Sequence, residues 1–130
     1  GCSKLTNINL LSFDTSQVTS MAYMFLGCSK LTSLDLSKFD TSQGTSIDYM
    51  FSGCSGLTSL DLSPLDTSKV TSINSMFYNC SGLTTITTGS NFKFVGTNYK
   101  LSGTWKNTAG ETFTAGGFPS NVADTYTKVS

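Results

Sequence analysis

Apolar residues recur along the first two thirds of the chain in two alternating rhythms. In "LTSLDLS" they stand at Leu31, Leu34 and Leu36, and the same L-x-x-L-x-L spacing returns at Leu5, Ile8, Leu10 and at Leu57, Leu60, Leu62. The last two positions of each set differ by two, the period of a strand with one face buried. Short parallel strands are therefore predicted at 5–10, 31–36, 57–62 and 83–87. The rhythm then changes. Met21, Met24, Phe25 and Cys28 lie at i, i+3, i+4 and i+7, as do Ile47, Met50, Phe51, Cys54 and Ile73, Met76, Phe77, Cys80. That spacing predicts one face of a short helix. Ser20, Ser46 and Ser72 stand where a hydroxyl would cap its start. Gly27, Gly53 and Asn79 stand where a left-handed residue would end it.

Both rhythms belong to one period. Cys2, Cys28, Cys54 and Cys80 recur every 26 residues, with units at 2–27, 28–53 and 54–79 and a partial one at 80–88. Between strand and helix, "DTS" at Asp14, Asp40 and Asp66 offers a side-chain acceptor that turns the backbone. A single unit cannot bury its leucines, whereas stacked units share a continuous core. The expected fold is thus an α/β solenoid, a right-handed leucine-rich-repeat-like stack of short strands and helical turns over 1–88. Gly44, in the column of Val18 and Val70, and Pro64, in a bend, depart from the pattern without breaking it. Each cysteine closes the inner helical stripe, a place for a small buried hydrophobe with a free thiol. A disulfide between stacked cysteines fits the required Cα separation, but their side-chain bonds would run parallel. A spacing of 26 is unlike that of a zinc site.

The unit "DLSKFDTSQGTSIDYMFSGCSGLTSL" resembles that of the BspA-like leucine-rich-repeat surface proteins, including the branch found in Firmicutes and mycoplasmas, over residues 1 to about 88. The resemblance implies an exported bacterial protein of the cell surface, of a family whose members are often adhesins for host or matrix components. From residue 89 the pattern gives way to aromatic residues around glycine-rich turns. Strands are expected there at 92–95, 99–101, 104–106 and 111–114, and similar W-x-N-x-x-G tails close the family's repeat blocks, so 89–130 reads as a β-rich C-terminal cap.

Composition narrows the function. Lys+Arg and Asp+Glu are 8 each, every base is lysine, and only 12% of residues are charged. That leaves no basic footprint for nucleic acid or an anionic membrane. No apolar run approaches the ~20 residues of a membrane span. With no histidine or arginine, most familiar catalytic arrangements are missing and no cofactor is expected. A column of Asp14, Asp40 and Asp66 has the ~5 Å step of paired glycosidase carboxylates, but turn formation explains each aspartate locally. Ser and Thr total about 40, well above ordinary usage. Threonine columns at 15, 41, 67 and at 19, 45, 71 resemble ice-binding arrays, although turn and capping duties account for them. Trp105, Tyr99, Phe113 and Tyr126 suit either a sugar-stacking platform or, better, the core of the cap.

The outward strand positions form two columns, Asn7, Ser33, Ser59, Thr85 and Asn9, Asp35, Asp61, Thr87, and these are the candidate binding face. The expected role is adhesion to a protein or glycan on host or neighbouring cells, with no enzymatic activity and no membrane insertion. The rival role is a spacer that holds another domain away from the cell. The first unit carries apolar residues from Leu5 to Phe25 with no polar segment before them. A fragment cut from a longer array, prone to end-to-end self-association, is the expectation there.

Overall fold

The computed structural model describes residues 7–8, 22–34, 36, 46–114 and 116–129. Within them β1 (Asn7–Ile8) and β2 (Ser33–Leu34) pair in parallel, as do β3 (Ser59–Asp61) and β4 (Thr85–Thr88). Asn7 faces Ser33 and Ser59 faces Thr85, so each pair keeps the 26-residue register. β5 (Trp105–Lys106), β6 (Thr112–Phe113) and β7 (Asp124–Lys128) then join antiparallel, giving one mixed five-stranded sheet in the order β3-β4-β7-β5-β6.

This architecture overturns the expected α/β solenoid of leucine-rich-repeat type. The described residues contain no helix, and the fold is β-rich with a single mixed five-stranded sheet. The physical reason lies in the segments read as helical. Tyr23, Tyr49 and Ser75 have φ of 66°, 59° and 56°, a left-handed conformation that an α-helix cannot contain. The N–H groups there follow an alternating rule. Those of Ile47, Tyr49, Phe51 and Gly53 donate to the carbonyls of Ser72, Asn74, Met76 and Tyr78, each 25 residues ahead. Those of Met50, Ser52 and Cys54 donate three residues back, to Ile47, Tyr49 and Phe51. A run of turns, each tied sideways to the next unit, reproduces the i, i+3, i+4, i+7 burial of a helix without forming one.

Ser46 Oγ accepts the Asp48 N–H at 3.4 Å, the bond expected of a cap, although it opens a turn and not a helix. Ser46 and Ser72 form a parallel bridge, and Ser72 Oγ and the Asn74 N–H both donate to Asp48 Oδ1 of the preceding unit. The Gly27, Gly53, Asn79 column is left-handed as predicted, at φ of 76°, 79° and 60°, although it ends a turn rather than a helix.

The core follows the repeat columns. Leu31, Leu57 and Leu83 are buried, as are Ile47 and Ile73, Met50 and Met76, and Leu36 and Leu62. Phe25, Phe51 and Phe77 stack with centroids 5.8 and 6.3 Å apart, and Tyr99 meets Phe77 edge-on. Residues 92–95 and 99–101, expected as strands, are irregular instead, while β7 was not foreseen. Their aromatics nevertheless pack: Phe92, Phe94, Tyr99, Phe118 and Tyr126 are buried in mutual contact. Tyr99 Oη accepts hydrogen bonds from the backbone of Gly116 and Phe118 at 2.9 and 3.2 Å, and Trp105 Nε1 donates to the Ser102 carbonyl. These rings are core, not a sugar platform. The expectation of an exposed first unit falls mostly outside the described residues, where Leu5, Leu10, Phe13, Val18 and Met21 lie; Phe25 is buried.

Two substitutions test this packing. A Cβ at Gly53 would lie 3.3 Å from Gly27 Cα, and a β-branched residue there adds left-handed strain of about 1–2 kcal/mol. Gly53→Val should lower the melting temperature clearly and Gly53→Asn only slightly; equal shifts would refute the role assigned to this column. Tyr99→Phe leaves the buried Phe118 N–H unpaired, at a cost of about 1–3 kcal/mol, and turns the exposed Gly116 N–H over to water. Hydrogen exchange at Gly116 and Phe118 should accelerate in that variant.

Candidate functional site

Register alone determines which side chains share the open face of the five-stranded sheet. Ser59 pairs with Thr85, Thr85 with Thr127, Thr127 with Lys106, and Lys106 with Thr112, one row across all five strands. A second row runs from Asp61 through Thr87 to Thr125. Ser59, Asp61, Lys106, Thr112 and Thr127 are exposed, and Thr85, Thr87 and Thr125 are half-buried. The intervening row, Leu60, Ile86 and Tyr126, is buried on the opposite face. The result is a face of short hydroxyl side chains carrying one lysine and one aspartate.

Of the eight residues expected on this face, the structure brings four together: Ser59, Asp61, Thr85 and Thr87. Asn7 and Ser33 are paired in the separate β1–β2 ladder at equivalent register, and Asn9 and Asp35 lie outside the described residues. Asp61 also has a local duty, since its Oδ1 accepts the Ser63 N–H at 2.9 Å. Thr87 and Thr125 hydroxyls are 3.3 Å apart across the β4–β7 ladder. Thr125, Thr127, Lys106 and Thr112 were missed. The alternation around Tyr126 in "DTYTK" was the available signal, and a single apolar residue made it faint.

Flanking groups hold the face in shape. Asp124 accepts hydrogen bonds from the Thr108 hydroxyl at 2.8 Å and the Thr125 N–H at 2.8 Å, which hold its carboxyl below the usual range. This ties the turn between β5 and β6 to the start of β7. Asn107 Oδ1 supports that turn by accepting from the N–H groups of Ala109 and Glu111. Buried Thr88 Oγ1 donates to the Val122 carbonyl.

The remaining sequence-derived candidates resolve differently. Asp66 accepts the Ser68 N–H at 2.9 Å, the local turn expected of "DTS", while Asp14 and Asp40 lie outside the described residues. Thr67 is fully buried and its Oγ1 accepts the Lys93 N–H, which removes it from any flat threonine array. No cluster of three or more potential metal ligands occurs among the described residues. No helix there is long and apolar enough to cross a membrane.

Cys54 and Cys80 are free and buried, and each thiol donates to the carbonyl of a phenylalanine 29 residues earlier, Phe25 at 3.1 Å and Phe51 at 3.0 Å. Burial pushes the Cys54 thiol up to about 11 and the Cys80 thiol up to about 12. Cys28 is disulfide-bonded, which corrects the expectation of an unpaired thiol at that position; Cys2 lies outside the described residues.

Comparison with known proteins gives a family. A family model described as "Mycoplasma protein of unknown function, DUF285" matches residues 1–108. No curated protein and no solved structure matches the chain. The match supports the mycoplasma side of the expected resemblance and not the BspA-like leucine-rich-repeat assignment in particular. It is consistent with a bacterial surface protein.

The thiols yield a test. At pH 8 Cys54 and Cys80 should resist alkylation in the folded protein and react once it is unfolded. Below the ordinary thiol value of 9.0 both states are protonated, so these groups add no pH dependence there. Above it the unfolded chain releases protons that the folded chain retains, and stability falls as pH rises toward the folded values. A Cys54→Ser, Cys80→Ser double variant should show a shallower alkaline decline in denaturant midpoint; an unchanged slope would refute the coupling.

Proposed function

We propose that this chain, which belongs to the family described as Mycoplasma protein of unknown function, DUF285, is an adhesive interaction module of an extracellular bacterial surface protein. It recognises a component of host cells, matrix or neighbouring cells through the open face of the five-stranded sheet. The observation that carries this reading is the unbroken row Ser59, Thr85, Thr127, Lys106, Thr112, which crosses every strand of the sheet. Hydroxyls on a nearly neutral face offer both donors and acceptors, so recognition proceeds by hydrogen bonding and shape rather than by charge. The resemblance of the repeat to BspA-like surface proteins, many of them adhesins, supports the same role.

The regular 25-residue ties between units favour a second reading, a spacer that sets the distance of another domain from the cell. Adhesion of protein-coated beads to epithelial cells separates the two. Combined replacement of Asp61, Lys106 and Thr127 by alanine should reduce adhesion about tenfold, the equivalent of ~1.4 kcal/mol, with only a small fall in melting temperature from loss of the Asp61–Ser63 bond. Adhesion that persists in this variant, or no adhesion by the native chain, would reject the sheet face as the binding surface.

A further inference from the structure

The lateral bonding of the turns stops at one place. Gly27 donates to Ser52 and Gly53 to Tyr78, but the N–H of Asn79, next in that column, has no acceptor among the described residues. The chain after the third unit follows it only partway, through Ser75 N–H to the Asn98 carbonyl and Phe77 N–H to the Tyr99 carbonyl, and then separates. Where the two segments part there is a cleft of about 370 Å³ lined by Tyr78, Asn79, Ser81, Lys100, Leu101 and Ser102. That volume is within the range of small-molecule sites. Both Asn79 and Lys100 hold a positive φ, 60° and 61°, at its edges.

The lining has a definite chemistry. Tyr78 is 50% exposed, leaving ring surface for contact, and Leu101 supplies an apolar floor at 2% exposure. Ser81 and Ser102 add hydroxyls. Lys100 is the single charged residue of the lining, with no acidic residue among the six. An aromatic face suits the C–H surface of a sugar ring, the hydroxyls suit its hydroxyls, and a cation beside an open amide calls for an anion.

We propose that this cleft binds a carboxylated sugar, with its ring against Tyr78 and its carboxylate toward Lys100 and the Asn79 N–H. The site is separate from the sheet face and does not depend on that face's role. A neutral sugar could offer the ammonium and the amide only hydroxyl acceptors, without the opposite charge that makes such bonds stronger.

Titration of the isotopically labelled full chain with a glucuronate-containing disaccharide, with lactose as the neutral comparison, tests the proposal. The Asn79 and Leu101 amide resonances should shift and saturate with the acidic sugar, which should bind about tenfold more tightly than lactose. Tyr78→Ala should weaken binding of the acidic sugar about tenfold, whereas Tyr78→Phe should preserve it. Lys100→Asn, which keeps a residue tolerant of positive φ, should erase the preference between the two sugars. Asp61→Ala should alter none of this, so failure here and failure of the sheet-face reading are distinguishable. Equal affinity of the native chain for both sugars, shifts confined to other residues, or no shifts at all would overturn the proposal. Tighter binding of a short peptide carboxylate than of the sugar would overturn it in favour of a peptide site. Should Tyr78→Ala not fold, Lys100→Asn and the native titration decide the outcome.

Discussion

The sideways hydrogen bond between successive units is the interaction on which the other features depend. A turn-forming segment leaves many N–H groups without partners in its own chain segment, and an unpaired buried amide costs about as much as a lost hydrogen bond. Here Tyr49, Phe51 and Gly53 direct theirs to the neighbouring unit, and the residues between them close turns on themselves. The 25-residue offset fixes the register, the register aligns Phe25, Phe51 and Phe77, and the aligned rings fill the space between turns and strands. The buried thiols of Cys54 and Cys80 extend the same logic by engaging phenylalanine carbonyls 29 residues back that still have lone-pair capacity.

Much of this was legible in the sequence, because a strict repeat makes burial periodic. The leucine columns, the phenylalanine column and the left-handed Gly–Asn column all follow from it. What misled was the segment Ile47 to Cys54, whose apolar spacing is helical although its backbone is not. A helix and a run of laterally bonded turns bury the same positions, and only backbone conformation separates them. The positive φ of Tyr49 is invisible to any propensity argument, since a bulky residue there is costly in isolation and is maintained by the bond from its own N–H to Asn74.

The candidate site was legible by halves for a related reason. Ser59, Asp61, Thr85 and Thr87 belong to repeat columns, so their common face was predictable. Lys106, Thr112, Thr125 and Thr127 enter the face through antiparallel pairing of segments distant in sequence, which no repeat announces. The cleft beside Tyr78 was wholly unreadable, because it exists only where the next segment stops following the repeat.

The position of β7 has a consequence for the order of events during synthesis. This strand follows β5 and β6 along the chain yet lies between β4 and β5 in the sheet. While a ribosome is still making residues before 124, the units behind them can already zip together, since each needs only its immediate neighbour. The β5–β6 hairpin, by contrast, has to wait, tethered but undocked, with the edge of β4 open to whatever strand comes first. Emergence of Asp124–Lys128 is therefore the step that commits the nascent chain, and it exposes an unpaired edge to the crowded cell until that moment.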